Sequence, residues 1–319
     1  MKRRSLIQSL AGLTSIGLAG TSLIARAQEK IKIAFGYSAV SDFASVFIAK
    51  EEGYFDKHGL DVDLKFIPLN SNIPAAIESD SLQLGGPTPT IFLQSVDGGL
   101  NHMVVGGGGV LSKTYTELAV VARAGSGIRK PQDFVGKKVG VPGLNALLHV
   151  TFRLWLKTNG VDYKKVIFIE APFPQHADLI RGGSLDAVVT AGPFMARILD
   201  SSTGYVAAYY TTFLPDGQPT ILYAGKRDWV IKNASAVKEF QKAVMEGAAF
   251  VLNRSPKNDA VVRAAMSKYL RLPPPAVEKM QISPPGPVVT ERQLQWWLAL
   301  MKEQDMLKTI INPAGLIVK

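Results

Sequence analysis

The chain contains no cysteine. A disulfide framework, a thiolate metal site, a cysteine nucleophile and a lipid-modified N-terminal cysteine are therefore excluded. Histidine is scarce: His58, His102, His149 and His176 are the full set, and none is spaced with carboxylates as a zinc site requires. There is no G-x-S-x-G nucleophile elbow. The run Gly106 to Gly109 lacks the Lys-Ser/Thr of a phosphate-binding loop, and no G-x-G-x-x-G opens a helix after a strand. Basic tracts interleaved with aromatics are missing too, which leaves nucleic acid without a footprint. These absences point to binding without catalysis, with no cofactor and no metal.

What is present begins at the N-terminus. Lys2, Arg3 and Arg4 precede an apolar, small-residue stretch from Leu6 to Ile24, and Ala25-Arg26-Ala27 forms an Ala-x-Ala site. That order of charge, hydrophobicity and small residues is an export signal, cleaved before Gln28. Gln8, Ser9, Gly12, Thr14, Ser15, Gly17 and Gly20 interrupt the stretch. It is too weakly apolar for an anchor, which needs about 20 predominantly apolar residues. Arg3-Arg4 followed by Ser5-Leu6-Ile7 resembles a twin-arginine signal in part, so the general secretory and twin-arginine routes both stay open. A chain exported without an anchor is expected in the periplasm. Without Lys2, Arg3, Arg4 and Arg26, the 36 basic residues become 32 against 26 acidic, a formal net charge of +6.

The remaining chain carries one pattern twice. The first copy runs from a strand at 30–35 through the loop Gly36 to Val40 to Ser41, a candidate N-cap, and a helix with Phe43, Val46, Phe47 and Lys50. A strand at 61–67, a short helix at 73–79 and Ser81 to Gly86 follow. The second copy runs from a strand at 137–141 through Pro142-Gly143-Leu144 to Asn145, the next candidate N-cap, and a helix over 146–157. A strand at 165–169, a short helix at 177–181 and Ser184 to Val189 complete it. Strands alternating with helices predict two α/β domains, each built on a mainly parallel sheet. Open α/β sheets bind ligands at their strand carboxyl ends, so two such edges facing each other predict a cleft closed by a hinge. Lobe 1 is expected over 28–122 and 218–319, lobe 2 over 123–217, joined by two crossover segments. The strand over 117–122 is read as leaving the first lobe. Thr290 and Gln293 predict a capping box before the Trp296-Trp297 helix.

Three segments, in this order, resemble the SsuA/TauA/NMT1-THI5-like solute-binding family. They are Phe47 to Val62 (FIAKEEGYFDKHGLDV), Asp133 to Pro142 (DFVGKKVGVP) and Leu179 to Ala187 (LIRGGSLDA). The resemblance implies the two-domain type II periplasmic binding protein fold. It further implies a monomer that hands a small-molecule ligand to an ABC permease served by a cytoplasmic ATPase. Docking to a sensor is the competing role. Family ligands include sulfonates, nitrate, pyrimidines and aromatic acids, so membership does not name one. The pyrimidine-synthesising branch carries a cysteine-rich motif that this chain lacks.

The expected ligand-binding residues cluster at loops and helix starts, where unpaired N–H groups can hold an anion. Tyr37 follows the first strand and is expected to overlook the cleft. Ser41 and Asn145 are each either cap or ligand contact. Asp42 either complements its helix dipole or, facing the cleft, selects a ligand with N–H or cationic character. Gly85 to Thr90 is the best single loop, with Pro87 stiffening the turn and Thr88 and Thr90 supplying hydroxyls. In the second copy the Gln175 region, Phe173, Thr190 and Phe194 are expected at the cleft. Thr190-Ala191-Gly192-Pro193-Phe194 stands where the family often has an acid, a proline and an aromatic, and the acid is missing. Arg123 and Arg197 are the unplaced cations, and His149 is read as structural. The expected ligand is a small sulfonate or carboxylate, aromatic ones included, with a pyrimidine-like heteroaromatic as the alternative.

Overall fold

A computed structural model describes residues 30–318. The export segment expected over 1–27 lies outside the described residues. Among the described residues, ten strands build two sheets: β1 (Ile31–Tyr37), β2 (Leu60–Phe66), β3 (Leu84–Gly85), β4 (His102–Gly107), β5 (Leu118–Arg123), β6 (Lys138–Val141), β7 (Ile167–Glu170), β8 (Ala187–Ala191), β9 (Gly204–Ala208) and β10 (Leu222–Lys226). The first sheet has the order β2-β1-β3-β10-β4, the second β7-β6-β8-β5-β9. In each, the leading strand pairs in parallel with two neighbours, and one antiparallel strand fills the fourth place. The sequence repeat is thus a repeat of topology.

Those fourth strands join the lobes. β10 returns from the second lobe to the first. β5 lies between β8 and β9, not at the end of lobe 1 as its sequence suggests. Leu118, Ala119, Val120, Val121 and Ala122 are buried on both faces, so the run has no polar side to mark which sheet it joins. Lobe 2 therefore starts with β5, and the first crossover is 108–117. It pairs with the returning crossover: Leu111 N donates to Gln218 O at 2.8 Å and Thr220 N to Gly109 O at 2.9 Å. The segment 283–287 flanks them, with Val110 N donating to Pro284 O at 2.9 Å.

The period of two along β1 puts Ile33, Phe35 and Tyr37 on one buried face. Phe35 stacks on Phe240 of the Ala234–Leu252 helix at 5.7 Å between ring centroids. That helix closes on the Ala44–Glu51 helix at Gly247, where any side chain would overlap the Ser45 carbonyl. The tail packs back on the first sheet, Val318 N donating to Val104 O at 2.9 Å. Thr290 and Gln293 close their capping box, with Thr290 N donating to Gln293 Oε1 at 2.8 Å.

Candidate functional site

A cavity of about 50 Å³ lies where the two sheets present their strand tips. The loop after β1 supplies Ser38, Val40 and Asp42, the loop after β2 supplies Pro68 and Asn70, and the loop after β3 supplies Thr88. From the second lobe come Pro142, Ala146, Leu147 and Leu148 after β6 and Phe173 after β7. Leu118, Thr220 and Ile221, at the mouths of the crossover strands, close the wall. The carboxyl ends of five parallel strands thus converge on one space.

The polar side of the cavity belongs to lobe 1 and is held by Asn70. Its Nδ2 donates to Gly86 O at 2.9 Å and Ser38 Oγ at 3.3 Å, while its Oδ1 accepts from Thr88 N at 2.8 Å. One amide thereby fixes the loops after β1 and β3 relative to β2. Among the described residues, Asp42 is the single ionisable one in the lining, and neither lysine nor arginine lines the cavity. Asp42 Oδ1 accepts from Ser283 Oγ at 3.1 Å and from the Thr220 hydroxyl. Burial raises its pKa, against the lowering effect of those hydroxyls. Burial foremost, with the Asp42 charge second, pushes the neighbouring Tyr115 hydroxyl well up. The rest of the lining is aliphatic or aromatic, and Phe173 is backed by Phe194, their rings stacked at 5.5 Å.

The helix starting at Leu147 begins at this space, with Ala146 at the N-cap and Leu147 and Leu148 of its first turn in the cavity wall. Across the rim, Ser71 Oγ of lobe 1 donates to Glu170 Oε1 of lobe 2 at 3.0 Å, and the same oxygen accepts from Leu144 N at 2.9 Å. The lobes are therefore in contact over the cavity.

Of the residues expected at the cleft, Asp42, Thr88 and Phe173 line it. Tyr37 does not: the alternation of β1 turns its ring into the lobe 1 core against Phe47 at 5.0 Å, and its hydroxyl donates to Tyr269 O at 3.2 Å. Ser41 is buried and opens a short 3-10 turn instead of capping it. Its Oγ meets Tyr115 Oη at 3.0 Å and accepts from Ser283 N at 3.1 Å. Asn145 sits at φ +63°, a left-handed conformation asparagine tolerates, one residue ahead of the cap. Pro87 offers its carbonyl to Leu222 N at 2.9 Å, tying the loop to β10. Thr90 is wholly buried beside Thr88, their hydroxyls 3.3 Å apart. Thr190 is wholly buried against His176 Nδ1 at 3.0 Å. Arg123 pairs with Asp186 at 3.1 Å and Arg197 with Asp178 at 3.5 Å, so neither reaches the cavity. Sequence reasoning missed Ser38, Asn70 and Thr220. Asn70 stands in the loop after β2, past Ile67-Pro68-Leu69 in a polar Asn-Ser-Asn run, and was legible as a strand-tip loop, whereas nothing local marks Thr220.

The family model described as NMT1/THI5 like matches residues 40–258. The nitrate/nitrite binding protein NrtA of Synechococcus elongatus is 27% identical over 275 residues, covering 77% of this chain and 60% of that protein. The nitrate import ATP-binding protein NrtC of Synechocystis sp. is 23% identical over 271 residues, covering 76% of this chain and 38% of that protein. The chain thus spans less than two thirds of either relative. Among solved structures, the alkanesulfonate-binding protein SsuA from Xanthomonas axonopodis pv. citri, bound to MOPS, superposes with a TM-score of 0.74 at 15% identity. The superposition covers 91% of this chain and 99% of that one, and the shared architecture is the periplasmic binding protein fold.

Proposed function

This chain belongs to the NMT1/THI5-like family, and we propose that it is the solute-capturing component of an ABC-type importer. It works in the periplasm as a monomer, closes two lobes over a small molecule, and presents the closed form to a membrane permease driven by a cytoplasmic ATPase. The observation that carries this reading is the cavity itself: tips from both sheets wall it, and paired crossovers supply the hinge. The relatives' names support binding over catalysis, and NrtC supports an ATPase partner.

Asp42 selects the ligand. A fixed anion about 4 Å from an ionised carboxylate meets a repulsion of about 4 kcal/mol at an effective dielectric constant of 20. With no lysine or arginine in the wall to offset it, the geometry favours a compact solute that donates an N–H or O–H to Asp42 and rests an apolar flank on Phe173. A pyrimidine-like ring has that donor edge. At about 50 Å³ this closed space holds only a few heavy atoms, so a ring requires the lobes to part further. The second reading is a small sulfonate, carboxylate or other oxyanion held by the Leu147 helix start beside a protonated Asp42. The nitrate and sulfonate binders among the relatives favour it.

The test is a thermal-shift screen of residues 28–319 against nitrate, bicarbonate, sulfonates, aromatic acids, pyrimidines and small amides. A true ligand at 100 times its dissociation constant adds about 2.7 kcal/mol of stability. Small-angle scattering with that ligand should show a more compact particle. A ligand that stabilises the chain yet leaves Thr88→Val and Phe173→Ala with unchanged affinity would place capture elsewhere.

A further inference from the structure

The two crossovers are not the sole links between the lobes. A third link is made by the chain beyond them. The Glu291–Glu303 helix rests on the returning crossover, Trp297 Nε1 donating to Pro219 O at 3.1 Å and Gln293 Nε2 to Gly217 O at 2.6 Å. Past the helix end the backbone turns at Asp305, φ +55°, and Met306 N donates back to Met301 O at 3.0 Å. The next residues are pinned to one carboxylate. Lys308 N donates to Asp97 Oδ2 at 2.9 Å, and Thr309 N and Oγ1 donate to Asp97 Oδ1 at 2.8 and 2.7 Å. Asp97 ends the Pro89–Asp97 helix between β3 and β4, so this anchor belongs to the first sheet. The Thr309 hydroxyl foremost, with the Lys308 amide next, holds the Asp97 carboxyl below its usual pKa.

The other end of the same short segment grips lobe 2. Gln304 Nε2 donates to Val150 O at 3.0 Å, Arg153 Nη2 donates to Gln304 O at 3.4 Å, and Lys157 Nζ pairs with Glu303 Oε1 at 2.9 Å. Val150, Arg153 and Lys157 follow one another at intervals of three and four, so they share one face of the Leu147–Thr158 helix. The first turn of that helix supplies Leu147 and Leu148 to the cavity wall. Gln304 is 3% exposed, so the grip is a packed contact and not a surface brush.

We propose that residues 303–309 form a strap between the lobes, fixed at Asp97 and releasable at Gln304, which holds the cleft closed from outside the ligand cavity. The stretch 304–309 reaches about 20 Å at full extension, so it cannot follow a wide rotation about the crossovers with both ends attached. The two ends differ in strength. Asp97 receives three charge-assisted bonds, whereas the lobe 2 end has one good neutral bond, one long bond and an exposed ion pair. The Gln304 end is therefore the one that lets go, and it frees the helix whose start lines the cleft. Control of ligand entry by this release rests on the solute-capture reading; the mechanical link itself does not.

Spin-label distances on residues 28–319 without added ligand test the strap. The cysteine-free chain accepts Lys65→Cys on β2 and Ile169→Cys on β7, exposed positions on the outer strands of the two sheets. The labelled parent should give one short distance. Gln304→Ala should add a longer one, raising the open fraction about tenfold, and Asp97→Ala, which cuts the other end, should do the same. Lys157→Glu, at a surface position that leaves folding intact, should open the lobes about threefold, and adding Glu303→Lys should restore the parent distance. A long distance dominating in the parent, or distributions unchanged by Asp97→Ala and Lys157→Glu, would overturn the proposal. So would lengthening by Gln304→Ala with Asp97→Ala silent, since Gln304 would then act on its helix alone. A stabilising ligand that fails to compact the particle would count against solute capture while leaving these distances as they are, so the two failures are told apart.

Discussion

The hydroxyl of Thr220 donates to Oδ1 of Asp42 although 178 positions separate the two residues. Asp42 stands in the first strand-to-helix loop of the chain and Thr220 on the segment returning from the second lobe. The bond therefore ties the loop after β1 to the returning crossover within the cavity wall. It also places the single charge of the cavity wall in a pocket of neutral donors, Thr220 and Ser283, rather than beside a cation.

Replacing Asp42 with asparagine separates the two ligand classes. Asp42→Asn keeps an oxygen for Thr220 and Ser283 but removes the charge. A donor ligand should lose about tenfold or more in affinity, because its charge-assisted bond is gone. An oxyanion should bind as well or better. The wild-type pH profile should agree. Since the pKa of Asp42 is raised, affinity for a neutral donor climbs as pH rises through its titration, whereas affinity for an oxyanion falls. Calorimetry at several pH values reads both.

The same raised pKa makes Asp42 a cost to the unliganded fold. The folded state holds its proton more tightly than the unfolded chain, so this stability is present at low pH and lost as pH rises from 3.8 through the folded value. Asp42→Asn should therefore raise the Tm of the ligand-free protein at pH 7 by about 2–4 °C for each kcal/mol recovered, with no gain near pH 3. Equal Tm gains at both pH values would mean that the charge is not what strains the site.

Gly109 admits no side chain. A Cβ there would lie 2.5 Å from Asp42 Oδ1 and overlap Ser283 Oγ. Gly109→Ala should destabilise the protein by about 1–3 kcal/mol and weaken ligand binding together. Gly315, with open space around it, serves as the control and should tolerate alanine within about 0.5 kcal/mol. Thermal melts with and without ligand measure both effects.

Glu170 bridges the rim of the cavity through Ser71 and Leu144. Glu170→Ala removes a charged acceptor from the closed arrangement alone, so ligand affinity should fall by about tenfold, mostly through faster release. Stopped-flow release should show the change, while the Tm without ligand stays close to wild type. A slower association rate with unchanged release would assign Glu170 to the encounter step instead.

Acid should unfold the protein early. Burial pulls His176 down to about 4, and burial with the Arg153 charge pulls His149 down to about 3. The unfolded chain takes up both protons near pH 6.5 while the folded one does not. Stability is therefore intact above pH 6.5 and lost as pH falls toward 4, by about 2.7 kcal/mol per unit near pH 5 for the two together. His149→Asn, whose amide oxygen can still accept from Asn145 N, should halve that slope in urea melts at stepped pH.

Particular residues show how far local pattern reaches. The repeat was legible because strand-loop-helix units are written in period and punctuation: alternation along β1 and β2, Gly53 after the first helix, Gly160 after its counterpart. Asp42, Thr88 and Phe173 were expected from the loops that follow β1, β3 and β7, and those loops bring them into the cavity wall. Tyr37 misled for a reason the same pattern contains. It shares the face of Ile33 and Phe35, and helices cover that face. The end of β1 named the right loop but the wrong side chain.

The amino-acid order alone determined two α/β units, the sequence of their elements and the loops from which a cleft is built, because these follow from hydrophobic period and turn chemistry within short windows. Only the tertiary structure decided that β5 belongs to the second sheet, that Thr220 and Ser283 reach Asp42, and that no cation enters the cavity wall. Each of those depends on backbone pairing or side-chain contact between segments far apart in the chain. No local period encodes such a meeting, and it exists only once both lobes have folded.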